Sequence, residues 1–346
     1  MSAPAPEIRH DQLTGLRTVL APARAERPFE FAAPERPLPR VEDCPFCEGR
    51  EDRTPQETWA DRPEGKENGP GWRLRAVPNL YPAFSGEGPG AETVAAGPRD
   101  PLREAVRGSQ PDLFATAPAS GHHEVIVHSP QHHRSLAELA DAGGLDPVLS
   151  GWRTRMRALA GEASYVQLIV NEGPEAGASL EHSHAQLYAL GFVPATVARE
   201  RERTRAYYET TAGGQLLADV LTEEVRRRER LVAIDDEAAL ICPWASRSPF
   251  ELRLIPRSPE SGFEGDDRGA AMLATAVRTL VARFGSALGL NLWVRTAPRA
   301  AEPFCWHIDL APRLAIKAGF ELSTGVDINT YPPERATAEL REALGT

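Results

Sequence analysis

Short apolar runs recur along the chain, some alternating with polar residues as half-buried strands do, and between them lie stretches with helical spacing. HHEVIVHSP alternates enough to be a strand. SLAELADAGGLDPVLSGWRTRMRALAGE then carries apolar residues at helical intervals, interrupted near Gly143 and Gly144. YVQLIVNEG reads as a buried strand and HAQLYALGFVP as another. After one charged helix expected over about 196–230, the same order returns: LVAIDDEAALICPW, FELRLIPRSP, a helix in AAMLATAVRTLVARFGSAL, then LNLWVRTAP and CWHIDLAPRL. This is the pattern of a degenerate internal duplication, with halves at 1–195 and 196–346. Each half places a histidine on its last strand, His184 and His307.

Outside these blocks the first forty residues are rich in proline and read as an arm wrapping the surface, with one short strand in LRTVLAP. Residues 48–70 and 85–112 read as loops, and WRLRAVPNLYPAF between them as a strand entering a proline-stiffened turn. With 346 residues, 41% hydrophobic and 25% charged, and no long apolar run, the composition is that of a soluble globular protein and excludes a membrane span. A net charge of −10 with scattered arginines argues against a general nucleic-acid binder, although a local arginine cluster can still hold an anionic substrate. The N-terminal residues show no targeting signal, so a cytoplasmic protein is expected. Cys44, Cys47, Cys242 and Cys305 do not form a disulfide framework, and the last two are expected to act as buried small hydrophobes.

Three constellations carry chemistry. In NEGPEAGASLEHSHAQ (171–186) two histidines one residue apart leave a glycine-rich loop, and strand alternation sends His182, His184 and Gln186 to one face. Gly173 and Gly177 permit backbone amides to approach an anion. An H-x-H strand alone also fits a satisfied core pair or a metal clamp. CPFC (44–47) has the spacing of a zinc knuckle, with His132 or His133 and His182 as the available partners; two reduced structural thiols or a redox dithiol are the alternatives. Arg24 and Arg27 stand three apart after the short N-terminal strand, where guanidinium forks can hold a phosphate or can simply face solvent.

Together these segments resemble the galactose-1-phosphate uridylyltransferases and the related nucleotide-sugar phosphorylases of the histidine-triad superfamily. The likeness runs from LTGLRTVLAPARAERP through CPFC, VPNLYPAF, GHHEVIVHSPQHHRSL, the H-x-H-x-Q segment and PWASRSPFELRLIP to GFELSTGVDIN. It implies an α+β, duplicated histidine-triad-like fold of two antiparallel-sheet halves with helices, assembled as a homodimer whose sites draw on both subunits. It implies that His184 is the nucleophile and that Gln186 donates to the phosphoryl oxygens. Asn171, Gly177 and Ser179 would contact the nucleotide phosphates or support the nucleophile, and Asn79 the nucleoside. Cys44, Cys47, His132 and His182 would hold a structural Zn2+. Arg24 and Arg27 would reach the partner subunit's sugar phosphate, and Glu321 the sugar hydroxyls.

The chain departs from the family in three places. Ser183 stands where the transferases commonly have proline, as in the phosphorylase branch. Asp327 replaces a glutamine, and a carboxylate there would repel a sugar phosphate unless paired. Of a second metal site found in some relatives, the matching residues are Glu200, Arg295, His307 and Asp309, and the arginine leads us to expect no second metal. The favoured activity is transfer of a nucleoside monophosphate, UMP first, from a nucleotide sugar to a hexose 1-phosphate through a nucleotidyl-histidine. The competing readings are an ADP-glucose-type phosphorylase using inorganic phosphate, a hydrolase, and a non-catalytic nucleotide-binding protein.

Overall fold

The computed structural model describes residues 5–26, 41–86, 114, 118–133 and 135–345. At the N-terminus β1 (Glu7–His10) and β2 (Arg17–Leu20) form a hairpin, so the arm carries two short strands rather than one. Then come β3 (Trp59–Asp61), β4 (Leu74–Pro78) and β5 (Gly121–Val127). Helices α1 (Leu136–Gly143) and α2 (Asp146–Ala160) follow, then β6 (Tyr165–Glu172) and β7 (His184–Leu190). The break between the two helices has a local cause. Ser135 caps α1 through the amide of Glu138, Gly144 ends it at a φ of 87° that a side chain would strain, and Pro147 starts α2.

The remainder holds α3 (Ala195–Thr210), α4 (Leu216–Arg227), β8 (Leu231–Ile234), β9 (Ala238–Ile241) and β10 (Leu252–Pro256). It continues with α5 (Ala270–Phe284), β11 (Leu290–Arg295), β12 (His307–Pro312), α6 (Gly319–Thr324), β13 (Asp327–Asn329) and α7 (Pro333–Leu344). The single charged helix expected over 196–230 is two helices. Gly213 takes a φ of 114° and the amide of Gly214 donates to the Thr211 hydroxyl, which turns the chain between them.

Ten strands form one antiparallel sheet in the order β3-β4-β5-β7-β6-β11-β12-β10-β9-β8. The order is symmetric about the β6–β11 seam, where Asn171 faces Asn291 and Val170 faces Leu292. Two sheet units are thus fused into one continuous sheet. A small second sheet joins β1, β2 and β13, the last parallel to β2.

One face of the large sheet packs on helices. Trp152 and Met156 of α2 and Leu273 and Val277 of α5 meet Leu168, Leu187, Leu292 and Leu310 in a single buried cluster, each buried leucine contributing about 2 kcal/mol. The opposite face is covered differently at its two ends. Over β4 and β5 lies the CPFC segment, with Cys44, Phe46 and Trp72 against Val77, Val125 and Val127. Over β9 and β10 lie Leu217 and Leu221 of α4 and Leu13 of the arm, packed with Ile241, Ile255 and Cys305. Cys242 and Cys305 are buried, and burial pushes both thiols up to about 12, as expected of small core hydrophobes.

Candidate active site and metal centre

Alternation along β7 separates core from site. Ala185, Leu187 and Ala189 enter the helix-covered core, which sends His184, Gln186 and Tyr188 to the other face. Across from them on β5 stand Val127, Val125 and His123 respectively. His184 and Gln186 line a cavity of about 370 Å³ with Val77 of β4, Asn79 just after it, Val125, Ser179, and the knuckle residues Pro45 and Phe46. The His184 ring lies edge-on to Phe46, with centroids 5.3 Å apart. Its Nδ1 is 2.7 Å from the main-chain carbonyl of His182, so Nδ1 donates and Nε2 keeps its lone pair. Burial lowers the His184 imidazole below its ordinary value, against the pull of that hydrogen bond, and favours the neutral ring a nucleophile requires. A larger cavity of about 560 Å³, bordered by Tyr165, Thr296 and Glu302, sits at the far end of β6 and is lined by no histidine or cysteine.

Just before β7, His182 turns toward the knuckle rather than the cavity. The ligand atoms of Cys44, Cys47, His132 and His182 all lie within 4.8 Å of one another. Cys44 Sγ is 3.5 Å and Cys47 Sγ 3.7 Å from His182 Nδ1, and Cys47 Sγ is 3.3 Å from His132 Nδ1. A tetrahedral metal with ordinary zinc–sulfur and zinc–nitrogen bonds would set such edges at about 3.6 Å. His182 Nε2 is held 2.8 Å from the carbonyl of Ser129, the kind of outer contact that fixes a ligating imidazole. These four residues can hold a metal ion, and they are the only such group among the described residues. His133 is not part of this group; its main-chain carbonyl accepts the amide of Ser183.

The remaining expected residues divide. Asn79 and Ser179 line the cavity. Asn171 is joined to Asn291 of β11, whose amine donates both to Asn171 Oδ1 and to the carbonyl of Ala176, each at 2.8 Å, pinning the glycine-rich loop to the other half of the sheet. Gly177 adopts a φ of 83°, but the amides of Ala176, Gly177 and Ala178 all donate to carbonyls of Gly173 or Pro174. These three amides therefore close the loop on itself instead of forming the anion nest expected from the glycines. Arg24, exposed in the turn Pro22–Glu26, and Glu321, which accepts the Ala318 amide and caps α6, do not line the cavity. Arg27 lies outside the described residues. Asp327 is paired: Lys317 Nζ is 2.6 Å and Arg247 Nε 2.5 Å away. Burial opposes ionisation, and those hydrogen bonds overcome it, holding the carboxyl below its usual range. The repulsion foreseen for this carboxylate is thus answered within the chain.

His307 heads β12 as His184 heads β7, with a different outcome. Glu200 of α3 lies over it at 3.8 Å and Asp309 at 3.6 Å, while Arg295 pairs with Glu200 and Arg253 with Asp309. Glu200, Arg295, His307 and Asp309 do come together, as a buried network of ion pairs. Sequence reasoning missed His123, Tyr188 and Phe46. Continuing the period of two from His184 through Gln186 reaches Tyr188, and the same period along β5 aligns His123 with Val125 and Val127.

A symmetric antiparallel sheet with helices on one face, and a histidine heading a central strand of each half, defines a duplicated histidine-triad-like fold. The sequence model of the galactose-1-phosphate uridyl transferase N-terminal domain matches residues 2–194, and a model of a domain of unknown function, DUF4921, matches 153–346. ADP-glucose phosphorylase of Arabidopsis thaliana is 30% identical over 350 residues, 97% of this chain and 93% of the relative. Galactose-1-phosphate uridylyltransferase of Kluyveromyces lactis is 28% identical over 354 residues, covering 96% and 90%. A crystal structure of an Arabidopsis thaliana ADP-glucose phosphorylase with bound ADP-glucose superposes with a TM-score of 0.77 at 28% identity, covering 98% of this chain and 99% of that one. The chain belongs to the galactose-1-phosphate uridyl transferase family.

Proposed function

We propose that the chain is a nucleotidyltransferase that takes a nucleoside monophosphate from a nucleotide sugar onto His184 and passes it to a phosphate-bearing acceptor. The observation that carries this reading is the His184 ring itself: oriented by the His182 carbonyl, which leaves Nε2 its lone pair, and lining the cavity beside Gln186. The Nε2 lone pair forms a bond to the α-phosphorus while the bond to the sugar-phosphate oxygen breaks, releasing a sugar 1-phosphate. An acceptor phosphate oxygen then displaces the imidazole and regenerates neutral His184. The Gln186 amine donates to the phosphoryl oxygens, where charge accumulates. Asn79 serves the nucleoside, and Ser179, with the loop that Asn171 and Gly177 shape, the nucleotide phosphates. Cys44, Cys47, His132 and His182 hold Zn2+ as a closed structural centre that fixes the cavity wall at Pro45 and Phe46.

With UMP as the transferred group and a hexose 1-phosphate as acceptor, the reaction is a uridylyltransferase exchange. The second reading has inorganic phosphate as acceptor and an adenylyl sugar as donor; similarity over nearly the full chain to ADP-glucose phosphorylase supports it. The halves 1–195 and 196–346 are two copies of one unit, of which the first keeps the nucleophile. We place the enzyme in the cytoplasm, in keeping with its free cysteines, as a homodimer in which Arg24, Arg27 and Glu321 serve the partner's sugar phosphate and sugar.

The test is intact-protein mass spectrometry of the wild type and His184→Ala after mixing with UDP-glucose, then ADP-glucose, without acceptor. The expected result is a mass gain of UMP or AMP on the wild type alone, removed by hexose 1-phosphate or by phosphate according to the true acceptor. A wild type left unlabelled by both donors would leave nucleotide binding without turnover as the better account.

A further inference from the structure

The nucleotidyl-transfer reading gives Gln186 a donor's task, and a carboxamide can do it only with its amine, not its oxygen, toward the phosphoryl group. His123 settles which way it turns, and Tyr188 adds a second contact to the same oxygen. The Tyr188 hydroxyl donates to Gln186 Oε1 at 2.7 Å, and His123 Nε2 stands 3.0 Å from the same oxygen. The proton on that nitrogen follows from the other side of the ring. The amide of Ala83 donates to His123 Nδ1 at 3.2 Å, so Nδ1 presents a lone pair and the neutral ring carries its hydrogen on Nε2. Burial lowers the His123 imidazole from its ordinary value, which keeps the ring in that neutral form. Asn79 Nδ2, 3.1 Å from His123 Nε2, therefore meets a donor there and takes no acceptor from the ring, while Asn79 Oδ1 accepts the amide of Tyr81.

The two clamping rings also hold each other. His123 and Tyr188 are opposite each other in the β5–β7 register and stack with centroids 4.1 Å apart and planes 24° apart. Phe84 packs edge-on against Tyr188 from outside, with centroids 6.3 Å apart. Both lone pairs of Gln186 Oε1 are thereby occupied, and a flipped amide would set an N–H against the fixed His123 N–H while forgoing the Tyr188 donor.

We propose that His123 and Tyr188 are positioning residues that clamp the Gln186 carboxamide oxygen and so hold its amine toward the phosphoryl group transferred to His184. This rests on the reading of Gln186 given above. Neither ring need touch the substrate. Their contribution is felt in the transition state, through the pre-set direction of one N–H group.

The experiment is a double-mutant cycle read in single-turnover nucleotidylation of the full-length protein, with UDP-glucose and ADP-glucose as the donors. Tyr188→Phe keeps the stacked ring and removes only the hydroxyl; His123→Phe keeps a flat ring and removes the N–H. Each is expected to slow labelling about tenfold at saturating donor, with donor affinity changed less than about twofold. In a Gln186→Ala background the same substitutions should cost nothing more. Thermal melts accompany each variant, and Tyr188→Phe, the mildest change, carries the test should His123→Phe fold poorly. Losses that multiply fully in the Gln186→Ala background, or a Tyr188→Phe enzyme with unchanged rate, overturn the clamp while leaving nucleotidyl transfer intact. If Gln186→Ala itself labels at the wild-type rate, both the clamp and the donor role of Gln186 fall.

Discussion

His184 Nδ1 lies 2.7 Å from the carbonyl two residues back, and His307 Nδ1 lies 3.3 Å from the carbonyl of Cys305, again two residues back. The rings are thus set alike, and what differs is what faces them: a cavity beside His184, the carboxylates of Glu200 and Asp309 beside His307. Ser183, between the two histidines of the first half, faces away from this chemistry. Its hydroxyl is 3.0 Å from His128 Nδ1, and the buried Trp152 indole donates to His128 Nε2 at 2.9 Å, so Ser183 braces the core behind His184. In the second half the buried charges have an energetic signature at Glu251. Burial, and then Asp309, raise its carboxyl to about 7, even though it accepts amides from Arg247 and Ser248. A carboxyl raised on folding binds more protons in the native state, so its contribution to stability falls as pH climbs from the ordinary glutamate range to about 7. Glu251→Gln removes that dependence. Urea unfolding of both proteins at pH 5 and pH 8 should show the variant gaining about 2 to 3 kcal/mol relative to wild type at the higher pH. A gap that stays constant would mean the carboxyl titrates normally.

At the scale of elements, the CPFC segment does two things at once. Its cysteines meet His132 and His182, and its Pro45 and Phe46 form a wall of the cavity. Metal removal should therefore act on folding and on donor binding together. Elemental analysis is expected to find about one zinc per chain, and Cys44→Ser or a strong chelator to lower the melting temperature by several degrees and weaken donor binding. Metal-free protein that melts and binds donor as the untreated protein does would rule this out. The fold was largely legible in the sequence because strands and helices here obey simple periods: the break at Gly144, the strands flanking the seam and the alternation on β7 were all readable. The CPFC pair was legible from its spacing, which left His132 and His133 open as partners; the family resemblance pointed to His132, and it is His132 that meets the cysteines. Less legible were features set by register and loop closure. His123 reaches Gln186 only because β5 pairs with β7 in one particular register, and the amides after Gly173 turn inward for reasons local to that loop. The pairing of Asp327 with Lys317 and Arg247 joins segments far apart in the chain, which periodicity does not report.

At the scale of the whole molecule, the cavity at His184 is lined by residues of one chain, yet Arg24 and Glu321 lie elsewhere on that chain. Near Glu321 an apolar set stands in solvent, with Ile316 at 89%, Leu322 at 75% and Phe320 at 49% exposure. In the homodimer we propose, this set is covered by a second copy and Arg24 of one chain serves the His184 cavity of the other. Sedimentation should give twice the chain mass. A sharper test uses two damaged enzymes, Arg24→Ala and His184→Ala, each expected to be poorly active alone. If the site is shared, a heterodimer holds one site with both changes and one with neither. Mixing the two variants in equal amounts and allowing subunit exchange should then restore about a quarter of the wild-type rate, because half the dimers are mixed and each has one intact site. If Arg24 serves the cavity of its own chain, no combination is intact, and the mixture will show only the average of its components.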